Sequence, residues 1–279
     1  FNGNTLTLQC KQLNKIVGSE TFNGSLFLLP KDCRLTEFTL EGISNIQGDF
    51  QCIDYFYVKE FVMPFIRVAG DMTIALNSGS VNTAAEIEFP KLQEIGGTLT
   101  LGTNRNANNI TFPLLKKILG SCSVTTYKLK NDIEFTNLES IGTDGADAQI
   151  KFEIEATNIL CPKLKTINGK FDIATSSFMF DMEVDKVSYP NVESISENLS
   201  ITCPYSDFGS NGILSIDFSG LKSVKGISIS GQGDVSDFSS FKYLFENNVL
   251  TGESQWSVRE CAYNPTYQDM KDGKYKLAE

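Results

Sequence analysis

An internal repeat constrains this chain more than any other feature. In Phe89-Pro90-Lys91-Leu92-Gln93-Glu94-Ile95-Gly96-Gly97-Thr98-Leu99-Thr100-Leu101, apolar residues stand at Phe89, Leu92, Ile95, Leu99 and Leu101, with Gly97 two places after the isoleucine. The pattern returns at Leu40, Ile43, Ile46, Gly48, Phe50 and Cys52, and at Val62, Phe65, Val68, Gly70, Met72 and Ile74. It returns at Phe112, Leu115, Ile118, Gly120, Cys122 and Val124, and at Cys161, Leu164, Ile167, Gly169, Phe171 and Ile173. A sixth copy, Tyr189, Val192, Ile195, Leu199 and Ile201, carries Glu197 in place of the glycine. Phe135, Leu138 and Ile141 begin a copy interrupted by 142–149, and Phe218, Leu221, Val224 and Gly226 begin one whose strand comes a residue early. Phe22 to Leu28 reads as half a copy, and Phe238, Phe241 and Leu244 as a last one. The isoleucine column, from 46 to 224, covers 178 residues over seven intervals, about 25 residues per copy.

The spacing dictates the local structure. The last two apolar positions lie two apart, which puts them on one face of a strand. The earlier ones lie three apart, which suits a chain turning a corner. Some 25 residues are too few for a βαβ unit of about 30 or more, and no copy holds the long amphipathic stretch of a helical repeat. Each copy is one coil, and a coil buries its apolar side only by stacking on its neighbours. The expected fold is mainly β, a right-handed parallel β-solenoid of about eight to nine coils with end caps. At about 4.8 Å per coil, nine coils make a rod of roughly 43 Å. Residues 1–39 are expected to form the N-terminal cap and first irregular coil, 40–250 the repeat, and 251–279 the C-terminal cap. The glycine column marks a corner that needs positive φ or close backbone approach. Proline after the first column (Pro90, Pro113) suits a corner too.

Composition narrows the chemistry. The chain has no histidine, which excludes Ser-His-Asp and Cys-His catalysis and His-ligated metals. The net charge of −10 argues against nucleic acid as main partner. No apolar run is long enough to span a membrane. Any targeting signal or lipid anchor belongs upstream of Phe1. The seven cysteines form no C-x-x-C. Cys52 and Cys122 fall in apolar columns and Cys161 replaces an aromatic, so most are expected to be small buried hydrophobes. One disulfide near a terminus stays open.

The pattern Phe-Pro-x-Leu-x-x-Ile-x-Gly-x-Leu-x-Ile resembles the repeat of receptor L domains, the leucine-rich-repeat-like ligand-binding modules of insulin and epidermal growth factor receptors, and the repeats of fungal cell-surface proteins. The stretch from Trp256 to Tyr275 resembles the ends of surface lipoproteins of gut bacteria. The repeat likeness covers about residues 20 to 250. The cysteine-rich modules that flank receptor L domains are missing, so a growth-factor-receptor role is not implied. The resemblance implies an extracellular, cell-surface protein, anchored to the outer membrane if bacterial, that binds a ligand; it implies neither a reaction nor a cofactor.

Coils vary in length where loops leave the rod, and such loops are often the binding edge. The extra residues follow the strand, at 77–88, 102–111, 143–149, 174–188, 204–217 and 230–237. The fourth and fifth belong to adjacent coils. They carry Phe178, Phe180 and Asp181, and Tyr205, Asp207 and Phe208. Aromatics among carboxylates suit a sugar ring or a protein hot spot equally; the aromatics could instead tuck back onto the core. Asp144 with Asp147, or Asp181 with Asp185, could offer oxygen to calcium, but neither has EF-hand spacing, and solvated acids are the expected reading. Trp256 and Tyr263 are expected to cover the last coil. The leading functional reading is a binding or adhesion module for a protein or carbohydrate. Its alternatives are a polysaccharide lyase or carboxylate-dependent hydrolase, and a structural spacer at the cell surface.

Overall fold

The computed structural model describes residues 4–9, 15–29, 37–53, 60–76, 85–103, 107–126, 131–145, 147–154, 158–175, 186–202, 213, 215–231 and 233–278. The chain is a parallel β-solenoid with three-sided coils. The first side is an 11-stranded sheet running from Thr5–Leu8 to Trp256–Arg259. The second is a 7-stranded sheet from Lys15–Val17 to Ile159–Leu160. The third is an 8-stranded sheet of two-residue strands from Thr21–Phe22 to Ser194–Ile195. About seven turns are complete, slightly fewer than the eight to nine expected. The difference arises because the later coils drop out of the 7-stranded sheet while the 11-stranded sheet continues.

Register confirms the columns. Phe22, Ile46, Val68, Ile95, Ile118, Ile141, Ile167 and Ile195 pair in sequence along the 8-stranded sheet. Leu26, Phe50, Met72, Leu99, Cys122, Ile150, Phe171, Leu199, Ile227 and Trp256 do so along the 11-stranded sheet. In-register pairing puts each apolar side chain on its equivalent one coil away, so one core runs along the rod. One copy is shifted: Met63, fully buried, takes the first column and Val62 does not, because Met63 donates to the Glu88 carbonyl beside Phe89.

Two corners have clear causes. Between the second and third sides, Phe89-Pro90-Lys91-Leu92 makes a four-residue turn closed by the Leu92 N–H on the Phe89 carbonyl at 3.3 Å; Phe112 to Leu115 and Cys161 to Leu164 repeat it. Proline at its second position presets φ and gives up no ladder bond. Phe89, Phe112 and Phe135 stack there with centroids 4.9 Å apart at each step. Between the third and first sides stands the glycine column. Gly70, Gly97 and Gly120 each donate to the equivalent glycine one coil back at 2.9 Å. Their φ angles are not left-handed. A Cβ on Gly97 would sit 2.8 Å from the Gly70 carbonyl carbon, so close backbone approach is what selects glycine there.

The loops read from sequence are partly strands. Ala85–Glu88, Ala107–Thr111, Lys186–Ser188 and Ser215–Asp217 occupy the ends of the spans 77–88, 102–111, 174–188 and 204–217. Each carries a buried residue two places before the first column: Ile87, Ile110, Val187 and Ile216, with Ile133 and Ile159 between. At the far end the tail adds a rung: Ile227 pairs with Trp256 and Ile229 with Val258, so the repeat's sheet runs past residue 251. Trp256 meets Phe238, Phe241 and Phe245 edge to face and donates its indole N–H to the Pro265 carbonyl at 2.9 Å. Tyr263 packs beside Phe238. Short helices Lys242–Glu246 and Tyr267–Lys271 complete the cap, with Met270 fully buried. Cys52, Cys122 and Cys161 are buried free thiols, as their columns predict, and Cys261 is buried in the C-terminal cap; Cys10, Cys33 and Cys203 lie outside the described residues.

Candidate functional site

The third corner leads from the 11-stranded sheet back to the second side. Residues 54–59, 77–84, 104–106, 127–130, 155–157, 176–185 and 203–212 all fall between those two sides in the chain. Phe178, Phe180, Asp181, Tyr205, Asp207 and Phe208 are among them and lie outside the described residues, as do Asp185 and the pair it would make with Asp181. The bases of the two spans are described. Thr175 ends one strand of the 11-stranded sheet and Thr202 ends the next. The returning strands Lys186–Ser188 and Ser215–Asp217 pair in parallel, Val187 opposite Ile216. The fold therefore brings the two spans together where they rejoin the rod.

These two strands form a sheet of their own and do not continue the 7-stranded sheet, which ends at Ile159–Leu160. The coil stack has a seam here. Tyr189 explains it. Cys161 leaves its aromatic column short of volume, and the Tyr189 ring leans in against Phe152, Phe171 and Phe218 at 6.0, 5.5 and 5.7 Å. Its hydroxyl donates to the Ile159 carbonyl at 2.9 Å, occupying an acceptor that faces the next coil. Burial pushes the Tyr189 phenol well above its ordinary pKa, with the buried Cys161 and Cys122 thiols adding to the effect, so it stays a neutral donor. The seam opens outward as a cleft of about 140 Å3 lined by Ile154, Asn158, Ile159, Leu160 and Lys186 to Tyr189.

Polar groups at the rim are tied. Lys186 reaches the Asp217 carboxylate at 3.4 Å and the Ser188 hydroxyl reaches it at 3.5 Å. Burial works to raise the Asp217 pKa, but hydrogen bonds from Ser219 and then from Lys186 outweigh it and hold the carboxyl below its ordinary value. A second cleft of about 250 Å3 lies on the 8-stranded side, lined by Ile66, Arg67, Gln93, Glu94, Lys116 and Lys117. Arg67 and Glu94 neutralise each other there at 2.8 Å. It lies away from the corner where coil length varies. Asp144 and Asp147 are exposed. Among the described residues no group of three or more potential ligands gathers for a metal ion.

Sequence reasoning missed the seam. Its signal is present: Cys161 breaks the aromatic column, and the next coil answers with a tyrosine whose hydroxyl needs a buried acceptor. No protein-family model matches the chain, and no curated protein and no solved structure matches it. The chain is a β-solenoid repeat protein. Among the described residues no helix is long and apolar enough to cross a membrane.

Proposed function

We propose that the chain is an extracytoplasmic binding or adhesion module of the leucine-rich-repeat-like, receptor L domain-like kind, recognising a protein or glycan through the third corner. One observation carries the reading: the two longest spans, which carry Phe178, Phe180, Tyr205 and Phe208, return to the rod through strands paired with each other, Lys186–Ser188 with Ser215–Asp217. A rigid, stacked scaffold that holds two variable segments side by side is the arrangement in which recognition residues are placed. The regular sides supply stiffness, and their outward columns of Thr73, Thr100, Ser123, Lys151, Asp172 and Ser200 keep the sheet face polar. The working position in this reading is the cell surface.

The test is a glycan array together with pull-down from cell-surface extracts. It compares the native chain with the triple variant Phe178→Ala, Phe180→Ala and Tyr205→Ala. Loss of about tenfold or more in affinity supports the corner as the binding edge. Unchanged binding by the triple variant rules that edge out. Shortened products from a polysaccharide pool would instead establish an enzyme.

A further inference from the structure

The seam cleft has strand edges for walls, and this decides what it can recognise. On one wall the carbonyls of Asn158 and Leu160 accept from Ile133 and Phe135, each at 2.9 Å, so their backbone groups face the preceding coil. Alternation turns the N–H and C=O of Ile159 toward the seam, where the Tyr189 hydroxyl holds the carbonyl and leaves the N–H for a partner. On the other wall the Tyr189 N–H donates to the Asp217 carbonyl at 2.8 Å, facing the following coil. The same alternation turns the backbone groups of Lys186 and Ser188 toward the seam. No strand pairing joins Ile159–Leu160 to Lys186–Ser188. Two sheet edges therefore face each other across a cleft whose apolar lining is Ile154, Ile159, Leu160 and Val187.

We propose that this seam captures an extended peptide segment of a partner protein, which adds a strand to the open edge and seats one aliphatic side chain in the cleft. The inference rests on the binding-module reading and narrows its ligand to protein. Volume supports it: pockets that hold a whole small ligand run to about 300–1,000 Å3, and 140 Å3 suits a single anchor residue. The chemistry separates peptide from sugar. A sugar ring wants an open aromatic face, and the aromatic at this cleft, Tyr189, is 3% exposed with its ring packed inward. The Ile159 N–H on one wall and the backbone groups of Lys186 and Ser188 on the other are the strand-edge groups that would recognise another main chain. Leu160, 39% exposed at the rim, extends the apolar contact beyond the cleft.

The probe is a random peptide library displayed on phage and panned on the native chain. Selected peptides are then measured on Leu160→Glu and Ser188→Pro. The first sets a charge on the rim. The second removes a seam-facing N–H and leaves the Tyr189 bond to the next coil in place. Enriched peptides carrying an aliphatic anchor are expected to bind each variant about tenfold or more weakly. They are also expected to slow amide exchange at Ile159 and Ser188, a readout that does not depend on the variants. Failure to enrich any peptide, or equal binding to native and variant chains without new protection at these amides, overturns the inference. A glycan lost by the Phe178, Phe180 and Tyr205 variant but retained by Leu160→Glu would leave the binding-module reading standing and sink this one.

Discussion

The Asp49 carboxylate accepts the backbone N–H of Asp71, one coil further on, at 2.8 Å. Asp71 repeats the contact with the Thr98 N–H at 2.7 Å, and the Ser25 hydroxyl begins the series on the Asp49 N–H at 2.9 Å. A small acceptor after each glycine thus ties one corner of the rod to the next. Asp71→Ala is expected to cost about 1 kcal/mol, since it strands one N–H that water can partly reach. Asp71→Asn keeps an acceptor and should recover most of that. Urea unfolding of the three proteins measures both, and equal loss in the two variants would reject the acceptor role.

The glycine column makes a sharper prediction. A Cβ at Gly97 would lie 2.2 Å from the Asp71 carboxylate oxygen and 2.8 Å from its backbone nitrogen. The backbone of the adjacent coil cannot give way without breaking the corner, so Gly97→Ala should cost about 1–3 kcal/mol. Gly102 is the control. It lies in the strand Leu99–Thr103, and a Cβ there meets nothing within 4 Å. Gly102→Ala should be neutral or stabilise by up to about 1 kcal/mol through the unfolded chain. Thermal unfolding ranks the two, and a destabilised Gly102→Ala would mean that this strand carries strain unrelated to space.

The first-column stack is expected to dominate stability locally. Phe112 lies between Phe89 and Phe135, its ring within 11° of parallel to both, and is fully buried. Phe112→Ala should cost about 3–5 kcal/mol, and Phe112→Leu distinctly less. A cost for Phe112→Ala under about 1 kcal/mol would show that the coils collapse to fill the void. The thiols give an independent probe of the same core. Burial pushes Cys122 up to about 12 and Cys52 and Cys161 well above their ordinary value. Near neutral pH their thiolate content is negligible, so alkylation followed by mass spectrometry should label them on unfolding and not before.

Much of this architecture is written in the sequence because stacking demands it. Residues that must meet their equivalents one coil away, such as Ile95 and Ile118, have to be apolar and in phase. The second side is harder to read. Among the described side chains, several of its strands show a single buried residue, Ile87 in one and Ile110 in the next, with spans of unequal length before them. A single apolar position cannot fix a strand; the column Ile87, Ile110, Ile133, Ile159, Val187 and Ile216 appears once the copies are aligned from the phenylalanine backward. Trp256 reads from the sequence as a capping residue, and its extra role as a rung is hidden because the tail carries no isoleucine-glycine corner. The seam was less legible still. It depends on how Tyr189 compensates for Cys161 in the neighbouring coil, which is a relation between two coils and not a motif in either.

The C-terminal cap should have its own acid limit. Asp269 stands at the third position of the helix Tyr267–Lys271; its carboxylate accepts the Thr266 hydroxyl at 2.7 Å and N–H at 3.1 Å, and the Lys274 ammonium at 3.0 Å. The bond to the Thr266 side chain, then that to Lys274, hold its pKa down to about 2. An unfolded aspartate titrates near about 3.9. The folded cap therefore binds this proton less tightly than the unfolded chain, and its contribution is complete above about pH 4. It fades as pH falls toward about 2, where both forms are protonated. Trp256, the single tryptophan, sits in the cap and reports it. The native chain should lose cap stability across that window, as read by tryptophan emission under mild denaturant. Asp269→Asn should start lower and lose less. Other carboxylates, Glu153 and Asp217 among them, titrate in both proteins and cancel in the comparison. A native-minus-variant difference that stays constant from about pH 5 to about pH 2 would show that Asp269 does not anchor the cap.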